Sequence, residues 1–327
     1  MRTLLHRTGY RRHLRRQPVF FLCLALFASV GHAATYAFIT NQLSNDVSVI
    51  DIASQKVVKR IPVGQKPAGI AVSKDQRRIF VSNAEGSDIS IIDGHTLAVT
   101  GHVRVGAGPV GIATNSDGSR VYVADWYEHK IAVIDTARKA IIHQIKVGKS
   151  PAGVWVDDLH HRLYVANRDD NTVSIIDTDS YVTLAVLEVG TAPFGIAYDP
   201  AHERLYVVNV HTANVSVIDT RAFKRIATIA VGEWPYCATV SPDSRRLYVT
   251  NQDDDSVSVI DTGTLKVVNT FGVGESPEGI DITPNGRQIY VVNWMDNSVS
   301  VIDSKSLKTI NTIKTDNGSR SFGRFIR

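Results

Sequence analysis

Hydrophobic positions along this chain recur in short alternating runs broken by turn residues. The segments FITN, FVSN, YVAD, YVAN, YVVN, YVTN and YVVN close at Asn41, Asn83, Asp125, Asn167, Asn209, Asn251 and Asn293, each step being 42 residues. The aspartate ending the next apolar run keeps that step, at Asp51, Asp93, Asp135, Asp177, Asp219, Asp261 and Asp303. A third column, VG-x-x-P, has its glycine at Gly64, Gly106, Gly148, Gly190, Gly232 and Gly274. Inside one repeat the pattern predicts strands at 67–73, 77–83 and 88–93 and a fourth within 96–105. Valine, isoleucine and tyrosine dominate these runs, and no helical period is sustained.

Four strands per repeat and seven repeats predict an all-β fold, a seven-bladed β-propeller of four-stranded antiparallel blades. The invariant columns have mechanical reasons. The glycine of VG-x-x-P permits a tight turn from one blade to the next, and the proline starts an inner strand where no ladder donor is needed. A second glycine, at 69, 111, 153, 195 and 279, falls where inner strands converge. The chain enters the first blade at its second strand, Ala37–Asn41. The tail NGSRSFGRFI (317–326) resembles the VG-x-x-P-x-G-I stretch with a two-residue insertion. It is expected to supply the missing inner strand, with Phe322 after the proline position and Gly323 in the glycine column, so that N- and C-terminal strands close the ring in one blade.

Residues 1–33 break the pattern. A basic head (Arg2, Arg7, Arg11, Arg12, Arg15, Arg16) precedes an apolar run from Pro18 to Val30 and the small-residue end Gly31-His32-Ala33. This is the layout of a cleavable secretory signal, too short for a comfortable membrane span. The propeller is then 34–327, and a periplasmic or secreted location is expected, with no transmembrane segment in the mature chain. The signal also changes the charge argument. The whole chain carries 36 Lys+Arg against 32 Asp+Glu, and removing six arginines leaves a net charge of −2. Nucleic acid is therefore not an expected partner. Cys237 is the one cysteine beyond the signal, so no intrachain disulfide is expected, and a monomer is.

The segment YVTN at 248–251 with its variants, together with VG-x-x-P-x-G-I and V-S-V-I-D, resembles the YVTN-type propeller repeat proteins of bacteria and archaea. The resemblance covers all of 34–327 and implies an exported or surface protein. Related seven-bladed rings serve as lactonases, haem proteins or DNA-associated periplasmic proteins, so the resemblance transfers no catalytic residue.

Columns that vary between repeats are where specialisation can lie. The loops between second and third strands share a face with the VG-x-x-P connections. That face gathers Trp126, Tyr127, His129, Phe194, His211, Trp234, Tyr236, Trp294 and Met295, with Arg168, Lys149, Glu128, Glu233, Glu275 and Glu278 for charged company. Large aromatics in solvent-facing loops suggest a recognition surface for a peptide, protein or small molecule at the propeller mouth. The alternative is that the rings lid the channel and pack on one another. The expected binding residues are Trp126, Tyr127, His129, Arg168, Phe194, His211, Trp234, Tyr236, Glu278 and Trp294.

Chemistry is thinner. A lactonase-like hydrolase would draw on Glu233, Glu275, Glu278, His129 and His211, with a divalent ion at the mouth. Metal ligation needs three or four converging ligands, and sequence spacing brings none together across blades, so no metal and no cofactor is predicted. Cys237 replaces a glycine of the inner column and reads as a buried thiol filling that gap, more than as a nucleophile partnered by His211. Trp155 and Asp281 stand in a column otherwise held mostly by alanine and are expected to reshape the channel. The leading expectation is an exported binding protein, followed by a hydrolase and then a DNA-associated periplasmic protein.

Overall fold

A computed structural model describes Gly9 and residues 35–326; apart from Gly9, the expected export signal lies outside the described residues. Seven antiparallel sheets follow one another in chain order. Six hold four strands, and the first holds three, Tyr36–Asn41, Asp46–Asp51 and Lys56–Pro62. Among the described residues the one helical element is the 3-10 turn Arg168–Asp170, and no helix is long and apolar enough to cross a membrane. The seven-bladed propeller of the sequence is thus the fold.

The second strand of each blade is almost fully buried and carries most of the core; Tyr164, Tyr206, Tyr248 and Tyr290 are its largest side chains. Inner strands come so close that a side chain on the second glycine would strike the neighbouring backbone. A Cβ on Gly111 would lie 1.7 Å from the carbonyl oxygen of Ala152. The asparagine column ties six of the seven blades internally. Asn251 Nδ2 donates to Ser256 Oγ at 3.0 Å and to Ser258 Oγ at 2.9 Å, and Asn293 makes the same pair with Ser298 and Ser300. On the outer turns, Asp93, Asp261 and Asp303 accept both the backbone N–H and the hydroxyl of Thr96, Thr264 and Ser306. These bonds, backbone first, hold the three carboxyls below their ordinary value.

The tail closes the ring as expected but in a different register. Asn41 faces Ser319, as Asn83 faces Pro67 in the second blade. Ser319, Arg320 and Ser321 therefore stand 42 residues after Pro277, Glu278 and Gly279. The hydrogen bonds agree: Ser321 N–H donates to Thr40 Oγ1 (2.8 Å), as Gly69 N–H does to Ser82 Oγ (2.9 Å). Phe322 and Gly323 are not the counterparts of the inner-column residues. The two-residue insertion comes after Ser321, and the next bridge is Ala37 with Ile326. There the chain turns through Gly323 at φ +100°, a value that favours glycine. Asp281 accepts from the N–H groups of Phe325 (3.0 Å) and Ile326 (2.9 Å), so the residue expected to reshape the channel anchors the end of the chain.

Three outcomes are expected. Truncation after Asp316 removes Phe325 and Ile326 from the first blade's core and lowers the thermal midpoint sharply; an unchanged midpoint contradicts this closure. Asp281→Ala strands two buried N–H groups and costs roughly 2–4 kcal/mol in denaturant unfolding. The depressed outer-turn aspartates stabilise the fold fully above the ordinary carboxylate range and lose that contribution as pH falls through their lowered values. Thermal midpoints followed down through that range should decline, and a flat profile would contradict the role of these turns.

Candidate functional site

The position after each inner-strand proline reads Ala68, Val110, Ala152, Phe194, Tyr236, Glu278 and, in the observed register, Arg320. Small residues occupy one side of the ring and large ones the other, which makes the mouth lopsided. On the large side the rings of Phe194, Tyr236 and Phe322 pack together, with centroids 4.3 Å (Phe194–Tyr236), 5.1 Å (Phe194–Phe322) and 5.4 Å (Tyr236–Phe322) apart. On the small side a cavity of about 480 Å³ opens. Gln42, Glu85, Trp126, Tyr127 and Arg320 border it, the aromatic cluster forms its far wall, and Ala68, Ala84, Gly108 and Val110 help to line it.

Phe194, Phe322 and Val110 also line a narrower apolar chamber in the channel, which offers about 70 Å³. The aromatic cluster thus separates mouth from channel. Cys237 lines the lower chamber, and burial pushes its thiol up, away from the thiolate a nucleophile needs. At the same level Arg324 lies 5.1 Å from the Trp155 ring centroid.

A buried charge network holds the mouth's large side. Arg320 Nε donates to Glu278 Oε2 at 2.7 Å, and Nη2 to Oε1 at 2.9 Å. The remaining guanidinium bonds reach Gln42 Oε1 (3.1 Å) and Tyr236 Oη (3.2 Å), while Gln252 Nε2 donates to Glu278 Oε1 at 3.0 Å. The guanidinium also lies 4.8 Å from the Phe322 ring centroid and 5.5 Å from that of Trp294. Glu278 is only 1% exposed. Burial raises its carboxyl above the ordinary value against the pull of Arg320, and burial likewise pushes the Tyr236 phenol up. Glu278, expected as a binding residue of the mouth and a candidate for hydrolysis, is the bidentate partner of Arg320.

The third blade builds the opposite wall, and its departures from the repeat act together. Asp125 stands where six other blades have asparagine, and a carboxylate cannot donate to the serine those blades provide; Ala132 stands at that serine position. Asp125 Oδ1 accepts the N–H groups of Tyr127 (3.2 Å) and Glu128 (3.1 Å), shaping the loop that presents Trp126 and Tyr127. Tyr127 is 69% exposed. A Cβ on Gly108 would lie 2.6 Å from its ring, so the bare glycine makes room for the tyrosine.

The other expected residues divide. His129 Nδ1 accepts the N–H of Ser150 (3.1 Å), filling the turn role that Asn45 and Asn171 fill for Lys66 and Ala192. Arg168 is paired with Asp169 (2.8 Å), lies 5.7 Å from the Trp126 ring centroid and approaches His211 Nε2 at 3.4 Å. His211 in turn packs on Trp234, with centroids 5.0 Å apart. Trp126, Arg168, His211 and Trp234 therefore make an arc along the rim, and His129 and His211 have separate partners. Trp294 sits behind Arg320. Among the described residues no group of three or more His, Cys, Asp or Glu could hold a metal ion. Sequence reasoning missed Arg320, Gln42, Glu85 and Gly108. Counting 42 residues on from Glu278 finds Arg320, a residue of opposite charge in the adjacent blade.

Comparison with known proteins agrees with the fold. Residues 71–162 match the YNCE-like beta-propeller family and residues 192–325 the cytochrome D1 heme domain, each less than half of the chain. No curated protein sequence matches. Among solved structures, hydrazine synthase of Kuenenia stuttgartiensis is similar at 22% identity, over 83% of this chain and 92% of that chain, with a TM-score of 0.75. A functionally unknown protein from Desulfotomaculum acetoxidans DSM 771 is similar at 15% identity, over 89% of this chain and 100% of that one, with a TM-score of 0.77. Dihydro-heme d1 dehydrogenase NirN in complex with DHE is similar at 16% identity, over 87% of this chain and 74% of that one, with a TM-score of 0.67. At such identities the likeness is one of fold. The chain is a seven-bladed β-propeller, and these matches group it with propellers at large rather than with the YVTN type in particular.

Proposed function

We propose that this protein is an exported binding protein that holds a small ligand, or one side chain of a peptide, in the cavity at the propeller mouth. The observation that carries this reading is a recess of about 480 Å³ with aromatic walls, closed below by Phe194, Tyr236 and Phe322. Concave sites with rigid aromatic walls and a few fixed polar groups are where small ligands bind. The apolar run behind the basic head at 1–33 supports export to the periplasm or beyond.

The match to a heme domain raises haem as an occupant. Haem iron is held by histidine, cysteine, methionine or tyrosinate. The residues lining the cavity include no histidine, cysteine or methionine. Tyr236 accepts a hydrogen bond from Arg320, and burial disfavours its ionisation. The cavity lining leaves Tyr127, exposed on its loop, as the one side chain of a ligating type not already engaged, and no haem chemistry is assigned to the mouth. A hydrolase reading has little to draw on, since Glu278 is held by Arg320 and His129 and His211 have separate partners.

A library of small aromatic, cationic and anionic compounds screened by saturation-transfer NMR tests the proposal. Binders should lose about thirtyfold in affinity on Trp126→Ala, with circular dichroism unchanged. Arg245→Glu, on a turn of the opposite face, should leave affinity within error. Loss of binding with Arg245→Glu but not with Trp126→Ala would put the site on the wrong face.

A further inference from the structure

The cations around the recess are already neutralised, and the carboxylate that lines it is not. Arg320 is held bidentate by Glu278, and Arg168 is paired with Asp169 through one hydrogen bond. Lys130, beside the Trp126–Tyr127 loop, is paired with Glu128. Glu85 lines the cavity, is exposed, and has no cationic partner among the described residues. The uncompensated charge of the recess is therefore negative. Its walls are rings: Trp126 and Tyr127 on one side, Tyr236, Phe194 and Phe322 on the other. An aromatic face carries a negative quadrupole and attracts a cation, and in water an alkylated ammonium gains most from it because it costs least to desolvate.

We propose that the mouth cavity takes an organic cation, an alkylammonium head held against Trp126, Tyr127 and Tyr236 with Glu85 as its counter-charge. This rests on the mouth being the binding site and adds the class of ligand. The Arg320–Glu278 pair does not oppose the ligand, because a bidentate ion pair presents little net charge to a third group. It fixes the wall instead: Arg320 joins Tyr236, Phe322 and Gln42 through contacts of 3.2, 4.8 and 3.1 Å. Tyr127 is the exposed member of the cage, and the bare Gly108 beneath it seats its ring.

Three probes of nearly one shape separate charge from size: choline, its neutral carbon isostere 3,3-dimethylbutan-1-ol, and the anion 3,3-dimethylbutanoate. Calorimetry with the purified chain should show choline binding about tenfold more tightly than the alcohol and the carboxylate more weakly still. Glu85→Gln should weaken choline about fivefold and raise no barrier to the alcohol. Tyr127→Leu, which keeps apolar bulk and removes the ring, should weaken choline about tenfold and leave the alcohol nearly unchanged. Both positions are exposed, so neither variant threatens the fold. Equal or tighter binding of the alcohol or the carboxylate, abolished by Trp126→Ala, would overturn the cation inference while leaving the mouth as the site. Failure of choline to bind at millimolar concentration would overturn it as well, and the compound screen would then decide the mouth reading separately.

Discussion

When Ser319 meets Asn41 and Ile326 meets Ala37, the inner edge of the first blade is covered and the ring closes. Few backbone bridges do this, and side chains make up the difference. Thr40 and Ser321 exchange hydrogen bonds, Asp281 holds the N–H groups of Phe325 and Ile326, and both of those side chains enter the first blade's core. The same short segment delivers Arg320 and Phe322 to the mouth. Closure of the fold and construction of the site are one event, because the residues that seal the ring also build the wall of the cavity.

The cavity exists because the repeat is broken unevenly. Small side chains after the prolines of the second to fourth blades leave room, and Phe194, Tyr236, Glu278 and Arg320 fill the other half. In the third blade the loss of an asparagine amide at Asp125 is matched by Ala132 at the serine position and by a loop whose N–H groups the new carboxylate accepts. One change in hydrogen-bonding character thus converts a structural column into a device that presents Trp126 and Tyr127.

Burial of a charged pair under the mouth is costly unless every donor is satisfied. Here four of the guanidinium's hydrogen bonds are made to Glu278, Gln42 and Tyr236, and Gln252 completes the carboxylate. The network fixes the orientation of rings that would otherwise pack in several ways. It also removes Glu278 from acid–base work, in keeping with a site that holds a ligand.

The blade number, the strand pattern and the gathering of Trp126, Tyr127, Phe194 and Tyr236 at one face were legible in the sequence, because a 42-residue period fixes alternation and turns locally. The length of the tail insertion was legible too, but its place was not. Reading Gly323 into the glycine column was reasonable from residue type, yet the pairing of Ser319 with Asn41 sets the register through contacts nearly the whole chain apart. That displacement hid Arg320, and with it the fate of Glu278. His129 looked like chemistry and is a turn acceptor, since a ring nitrogen and an asparagine oxygen satisfy the same N–H. Local periodicity determines a blade; which side chains meet at the centre of seven blades is settled only when the ring closes, because each comes from a different repeat.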